Sequence, residues 1–211
     1  MKTIGRTTLI LAALVAVSCG EKLDEVSQTI ENAKTLAESA NTMDAQQGAM
    51  EKRRSARRAA GDTLAMEPDK LKAFLPGAVD GYKASEPETQ SFDMQGMSWS
   101  MASRTYTKDD NTSLKVTLTD YNASDAGWAG ASAVFALKWS VDNANERQKT
   151  FQTGNDYIKG FERYGKQDHN ASVTYSLGGR FLLQIEATGQ SGTELVHSVA
   201  TSMNLEKLAS L

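Results

Sequence analysis

The sequence predicts an α+β fold: an antiparallel β-sheet covered by helices, of the α-β-α sandwich kind, preceded by a helical stalk. Three observations carry this expectation. Residues 21 to about 60 contain no proline and no aromatic residue, and their apolar positions recur at steps of three and four. Beyond Met97, several runs alternate apolar and polar residues, the period-two signature of half-buried strands. Two later stretches, Trp128–Trp139 and Val196–Met203, return to helical spacing.

Taken in order, the stalk stripe is Leu23, Val26, Ile30, Ala33, Ala37 and Ala40. It shrinks from large aliphatics to alanines, which favours a single solvated helix over a strong coiled coil. Lys52, Arg53, Arg54, Arg57 and Arg58 follow, and Ala59-Ala60-Gly61-Asp62 reads as a hinge. Glu67-Pro68-Asp69 opens a short helix with Leu71, Phe74 and Leu75 on one face, and Pro76-Gly77 closes it. Tyr82–Ser85 suits a short first strand. Met97 to Tyr106 alternates, Lys108-Asp109-Asp110-Asn111 is a polar turn, and Leu114, Val116 and Leu118 supply the partner strand. Trp128, Ala131, Ser132, Phe135 and Trp139 form one helix face, with Ser124 or Asp125 as cap. Strands are expected at Arg147–Thr153, Tyr157–Lys166, Ser172–Ser176 and Arg180–Thr188. A loop at Leu177–Gly179, with Gly179 left-handed, would place Tyr175 opposite Phe181 and gather the odd-numbered apolar residues on one face. Ser191-Gly192-Thr193-Glu194 has the pattern of a capping box before the last helix.

The first eighteen residues are a secretion signal by composition. Lys2 and Arg6 give a positive start, Leu9–Val17 is an unbroken apolar run too short for a permanent span, and Ala16-Val17-Ser18 are small. Cys19 follows directly. A cysteine there resembles the lipobox of bacterial lipoproteins, in which the thiol is acylated (palmitate is such a chain) and becomes the new N-terminus. Ala16 stands where that family usually has Leu, and Ala-Val-Ser also fits ordinary signal-peptidase cleavage. The implied division is 1–18 signal peptide, 19–62 lipid-anchored stalk and basic hinge, and 63–211 α+β domain. Gly20 after the cysteine resembles lipoproteins sorted to the outer rather than the inner membrane.

Cleavage before Cys19 removes two of the 23 basic residues and none of the 26 acidic ones, moving the net charge from −3 to about −5. That balance argues against a general nucleic-acid binder, which needs a basic field. The lone cysteine permits no disulfide within the chain. The five basic residues Lys52, Arg53, Arg54, Arg57 and Arg58 are a candidate contact for an anionic surface, either the membrane itself or an envelope polymer, against the default of a solvated hinge.

Reactive groups are few. His169 lies in a polar turn and His197 on the last helix, where a surface or boundary role is commoner than a base. No Cys/His spacing suits zinc, no nucleophile elbow or P-loop is present, and Asp109-Asp110-Asn111 lacks the glycine and distant glutamate of a calcium loop. No catalytic residue, cofactor or metal ligand is assigned. Arg104, Tyr106, Asp120, Tyr121 and Arg180 could form a polar pocket, though a cross-strand ion pair explains them as well. Met94, Met97 and Met101 read as adaptable core filler.

The runs LKAFLPGAVDGYKASEPE (Leu71–Glu88), SMASRTYTKDD, VTLTDY, LGGRFLLQIEATG and NLEKL resemble a group of uncharacterised bacterial lipoproteins with an LK-x-LLP, SRxY, TDY and GxRF pattern. The likeness spans about residues 67 to 208 and implies no particular activity. More loosely, the layout resembles the PsbP/Mog1-like sandwich, an analogy of fold alone. The reading that follows is a non-enzymatic, lipid-anchored periplasmic protein binding a protein or envelope component. The alternative is a carrier of a small apolar ligand held between sheet and helices.

Overall fold

The computed structural model describes residues 48–94 and 97–211. The leader, Cys19 and the stalk stripe from Leu23 to Ala40 lie outside the described residues. Elements follow in the order α1 (residues 48–59), α2 (Pro68–Lys72), β1 (Lys83–Ala84), β2 (Glu88–Met94), β3 (Met97–Asp109) and β4 (Thr112–Ala123). Next come α3 (Asp125–Ser132), a 3₁₀ turn (Ala133–Ala136), β5 (Ser140–Asp142), β6 (Glu146–Gln152), β7 (Ile158–Gly165), β8 (Ala171–Leu177), β9 (Phe181–Ala187), α4 (Glu194–Thr201) and α5 (Leu205–Ser210). The protein is a mixed α+β fold.

Among the described residues nine strands form one sheet in the order β1-β3-β4-β9-β8-β7-β6-β5, with β2 also on β3, and every pairing is antiparallel. Its spine is the β4–β9 pair, with Val116 opposite Ile185 and Leu118 opposite Leu183. Those four side chains are fully buried, as are Leu71 of α2, Val196 of α4 and Leu208 of α5 in the same cluster. Period-two alternation on the strands therefore meets the helical apolar faces in one core. Met101, Ser103, Thr117, Thr119 and Tyr121 point to the other side by the same alternation, and there Tyr121 meets Trp128 of α3 with ring centroids 6.3 Å apart.

Several expectations need correction. Strands β2 and β5 were not foreseen: every residue of both is exposed, so neither carries an alternating pattern. The helix expected through Trp139 ends at Ser132 and tightens into the 3₁₀ turn. Trp139 is extended instead, its backbone N–H donating to Thr150 Oγ1 (3.1 Å) and its ring stacked 5.8 Å from Phe161. The capping box does not form, because Thr193 is the N-cap of α4 but makes no side-chain cap bond. The basic run Lys52–Arg58, expected as a hinge, is helical in α1 and belongs to the same compact unit as the sheet, Ala45–Leu211.

The β8–β9 hairpin keeps the expected face and shifts the expected loop. Leu177 stays in the strand opposite Phe181, and Tyr175 faces Leu183 rather than Phe181. The loop is Gly178-Gly179-Arg180, with φ +64° and +70° at the two glycines and an Arg180 N–H donating to the Leu177 carbonyl at 3.1 Å. Two successive left-handed residues closed by that bond make a type I′ turn. Burial of Leu177 rewards keeping it in the ladder, and Arg180 is released to the end of the sheet.

Both glycines are also approached closely. A Cβ on Gly178 would lie 2.6 Å from the Ala209 carbonyl oxygen of α5, and one on Gly179 would lie 2.6 Å from Met50 Sδ of α1. Backbone cannot yield as a thioether can. Gly178→Ala should therefore destabilise more than Gly179→Ala, which should cost about 1–2 kcal/mol for its left-handed backbone. Urea midpoints of the two variants check the order.

Candidate functional site

One end of the sheet is built from the start of β3, the end of β4, the start of β9 and the end of β8, and polar side chains concentrate there. Asp120 sits at the core-facing end of β4, opposite Phe181, so Arg180 comes directly beside it. Arg180 Nε donates to both Asp120 carboxylate oxygens at 3.0 Å, and Nη2 donates to Oδ2 at 2.7 Å. Nη1 donates to Asp62 Oδ2 at 2.7 Å. Asp120 also accepts the backbone N–H groups of Met66 (2.8 Å) and Asn122 (2.9 Å). Burial alone would lower the Arg180 pKa; the hydrogen bonds and charge of Asp120, followed by those of Asp62, more than offset it and raise it.

Asn122 extends the network. Its Nδ2 donates to the Asp62 carboxylate (2.8 Å) and to the carbonyls of Asp62 (3.1 Å) and Leu64 (2.9 Å), while its Oδ1 accepts from Arg57 Nε (3.0 Å). Ser98 Oγ accepts the Ala65 N–H, and Ser100 Oγ donates to the Met66 carbonyl, both at 2.7 Å. Segment 62–66 is thus bound through side chains of β3 and β4 at positions where the apolar alternation stops. Arg57 Nη1 is buried without a hydrogen-bond partner, and burial, then the charges of Arg180 and Arg53, lower the Arg57 pKa.

A second cluster lies where α4 crosses β7 and β8. Glu162 occupies an inward position of β7 and is buried. Its Oε2 pairs with His197 Nε2 at 2.6 Å, and its Oε1 lies 3.4 Å from Lys149 Nζ. His197 Nδ1 is 3.0 Å from the Tyr175 hydroxyl. Phe151 closes the group, 5.5 Å from the Tyr175 ring and 5.3 Å from the imidazole. A Glu–His–Tyr chain is what general acid–base chemistry could use, and the same bonds tie α4 to β7 and β8. The arrangement fastens α4 to the sheet.

The other suspected residues separate. Arg104 Nε donates to the Ser85 carbonyl (2.7 Å) and Nη1 to that of Pro76 (3.2 Å), where the Tyr106 hydroxyl also donates (2.6 Å). His169 is exposed in its turn, with φ +53°. The basic side chains of α1 are largely engaged. Arg53 Nη2 donates to the Ala209 carbonyl (2.7 Å) and its guanidinium lies 4.3 Å from the Tyr157 ring centroid. Arg54 and Arg58 converge on Asp125 at 3.4 and 2.9 Å, and Lys52 is exposed. Cys19 lies outside the described residues.

The third feature is apolar. At the closed end of the β2–β3 hairpin, Phe92 and Trp99 stack with centroids 6.3 Å apart. Phe92 is 36% exposed, Met97 42% and Met94 52%, so Met94 and Met97 are not core filler. Sequence reading missed Glu162, although a charge in the inward phase of Ile158, Gly160 and Tyr164 was a usable signal. It missed the hairpin because β2 alternates with nothing buried.

Compared with protein-family models, with curated proteins and with solved structures, the chain matches none.

Two outcomes test the clusters. Arg180→Met leaves the Asp120 carboxylate buried without its counter-charge and should cost about 3–5 kcal/mol, read from urea unfolding. The Tyr175 phenol is pushed up to about 12 by burial and then by the Glu162 charge. The unfolded phenol ionises near pH ~10, so its contribution is complete below that pH and is lost as pH rises towards 12. Stability should fall across that window, and Tyr175→Phe should flatten the fall, with the remaining slope carried by Tyr106 and Tyr121, whose burial also raises their pKa values.

Proposed function

We propose that this chain is a lipid-anchored protein of the bacterial periplasm, acylated at Cys19, which binds a protein or envelope component without catalysing a reaction. The observation that carries the binding reading is the apolar hairpin end, three of whose large side chains are exposed while the core is filled. Leu64, 52% exposed, belongs to the segment held against Ser98 beside it. The leader pattern before Cys19 supports the anchor, and Gly20 supports the outer membrane as its site.

The resemblance to the lipoprotein group gains physical sense from the pairing of its motifs. Arg104 and Tyr106 bind the Pro76 carbonyl of the opening motif, and Asp120 binds Arg180. With it goes the finer architecture, an α-β-α sandwich with α2, α4 and α5 on one face and α3 on the other, tethered through residues 19–47.

The carrier alternative draws less support. Between sheet and helices the space is taken by Leu71, Val173, Val196 and Leu208, all fully buried. A cleft of about 260 Å³ lies instead between Phe135–Trp139 and the β6–β7 strands. One of about 340 Å³ beside Lys115, Arg163 and Glu186 reaches the 300–1,000 Å³ usual for ligand pockets, but it is lined mostly by charged and polar side chains, which suit an apolar ligand poorly.

The anchor is tested by Cys19→Ser expressed with its own leader. The variant should remain unprocessed and lose its acyl group while its domain keeps the wild-type unfolding midpoint. Normal processing and unchanged detergent partitioning would overturn the lipoprotein reading.

A further inference from the structure

Helix α1 lies across one end of the sheet. Met50 touches Gly179 in the β8–β9 turn, Arg53 reaches α5 and Tyr157 before β7, Arg57 reaches Asn122 on β4, and Arg58 reaches Asp125. The Met94–Met97 pair that ends the β2–β3 ladder is at this same end, just past the last β3–β4 pair, Ser98 with Ala123. The described chain also begins here, at Gly48, and Cys19 precedes it in sequence. The tether from Cys19 thus enters the domain at Gly48, on the β8–β9 side of this end, and α1 runs from there towards β4.

We infer that the closed end of the β2–β3 hairpin, through Phe92, Met94, Met97 and Trp99, is a second lipid contact that inserts into the membrane interface beside the N-terminal anchor. The inference rests on the lipid-anchor reading for the identity of that membrane. Aromatic and long apolar side chains are what the headgroup–acyl boundary accepts, Trp above all. Charge does not drive the contact. Arg53, Arg54, Arg57 and Arg58 are engaged within the domain, and Asp93 stands beside Phe92 on the hairpin itself. The contact should thus be indifferent to headgroup charge and to salt, unlike one made by a basic patch. A tether alone holds the domain near the bilayer, and the hairpin would fix its orientation by a two-signal logic in which one acyl chain is supplemented by a second attachment.

The experiment uses the full chain, produced with its own leader in a lipoprotein-processing host and reconstituted on phosphatidylcholine vesicles containing lipids brominated near the headgroup. Mass measurement of the N-terminal peptide reads the anchor, and bromolipid quenching of Trp99 reads the hairpin, by difference from Trp99→Phe. Quenching of Trp99 should be at least twofold, equal on neutral and anionic vesicles, and unchanged at high salt. It should vanish in the triple variant Phe92→Ser, Met94→Ser, Met97→Ser, and already fall in the double variant Met94→Ser, Met97→Ser, whose unfolding midpoint should stay at the wild-type value because both methionines are exposed and the Phe92–Trp99 stack is kept. An acylated protein held on vesicles with Trp99 unquenched would overturn the hairpin contact and leave the anchor standing. An unacylated protein whose Trp99 is still quenched would overturn the anchor and leave the hairpin contact standing. Quenching seen only on anionic vesicles and lost with salt would overturn the proposal in favour of the basic helix, and quenching that survives the triple variant would overturn the residue assignment.

Discussion

The buried pair of Asp120 and Arg180 is the interaction on which the rest of this end of the molecule depends. Asp120 is fully buried, and a carboxylate there is tolerable only because five hydrogen bonds from Arg180, Met66 and Asn122 replace its water. The geometry requires Arg180 to leave the β9 ladder, which the double-glycine turn allows. Gly178 and Gly179 supply the left-handed backbone and the room for α5 and α1 to approach. One ion pair thus links a hairpin loop, a strand end, the segment after α1 and both flanking helices. A hydrophobic pair of similar volume could fill the space, but it would leave the Met66 and Asn122 N–H groups without an acceptor.

The same logic explains which parts of the fold were legible in the sequence. Strands β3, β4, β8 and β9 announce themselves because one face of each is buried, so the two-residue period is written in the side chains. Strands β2 and β5 lie at the sheet margins and bury no side chain, so burial writes no two-residue period into them. The Trp128–Trp139 stretch misled for a different reason. Its spacing fits a helix, but tertiary contacts decide the last residues: Phe161 offers a stacking partner and Thr150 a backbone pairing, and both draw Trp139 into extended structure. The fold class was readable in kind. Its edges were not.

Arg104, Tyr106, Asp120, Tyr121 and Arg180 were recognised as candidates and a cross-strand ion pair was expected among them, but not which residues form it, and Glu162 was missed. Asp120 and Arg180 are 60 residues apart and meet only through the β4–β9 register. Glu162, Tyr175 and His197 meet across two strands and a helix, which no local spacing records. Arg104 and Tyr106, two residues apart on one strand face, share the Pro76 carbonyl, and that is the one suspected grouping a sequence alone could have placed together. Among the buried side-chain atoms of these clusters, Arg57 Nη1 is left without a hydrogen-bond partner. Titratable groups in such networks hold elements together.

The basic run is the most instructive case, because composition and structure assign it opposite characters. Five cations in seven residues repel one another, and in isolation that favours a solvated linker. The repulsion is relieved by a surface that offers one acceptor to nearly every arginine: Ala209 and Tyr157 for Arg53, Asp125 for Arg54 and Arg58, and Asn122 for Arg57. Pairs as exposed as Arg58 with Asp125 contribute at most about 1 kcal/mol each. What they secure is position: α1 lies flat across the end of the sheet and delivers Asp62 to Arg180. The arginines of the run thus act first as struts of the fold, with Lys52 left exposed.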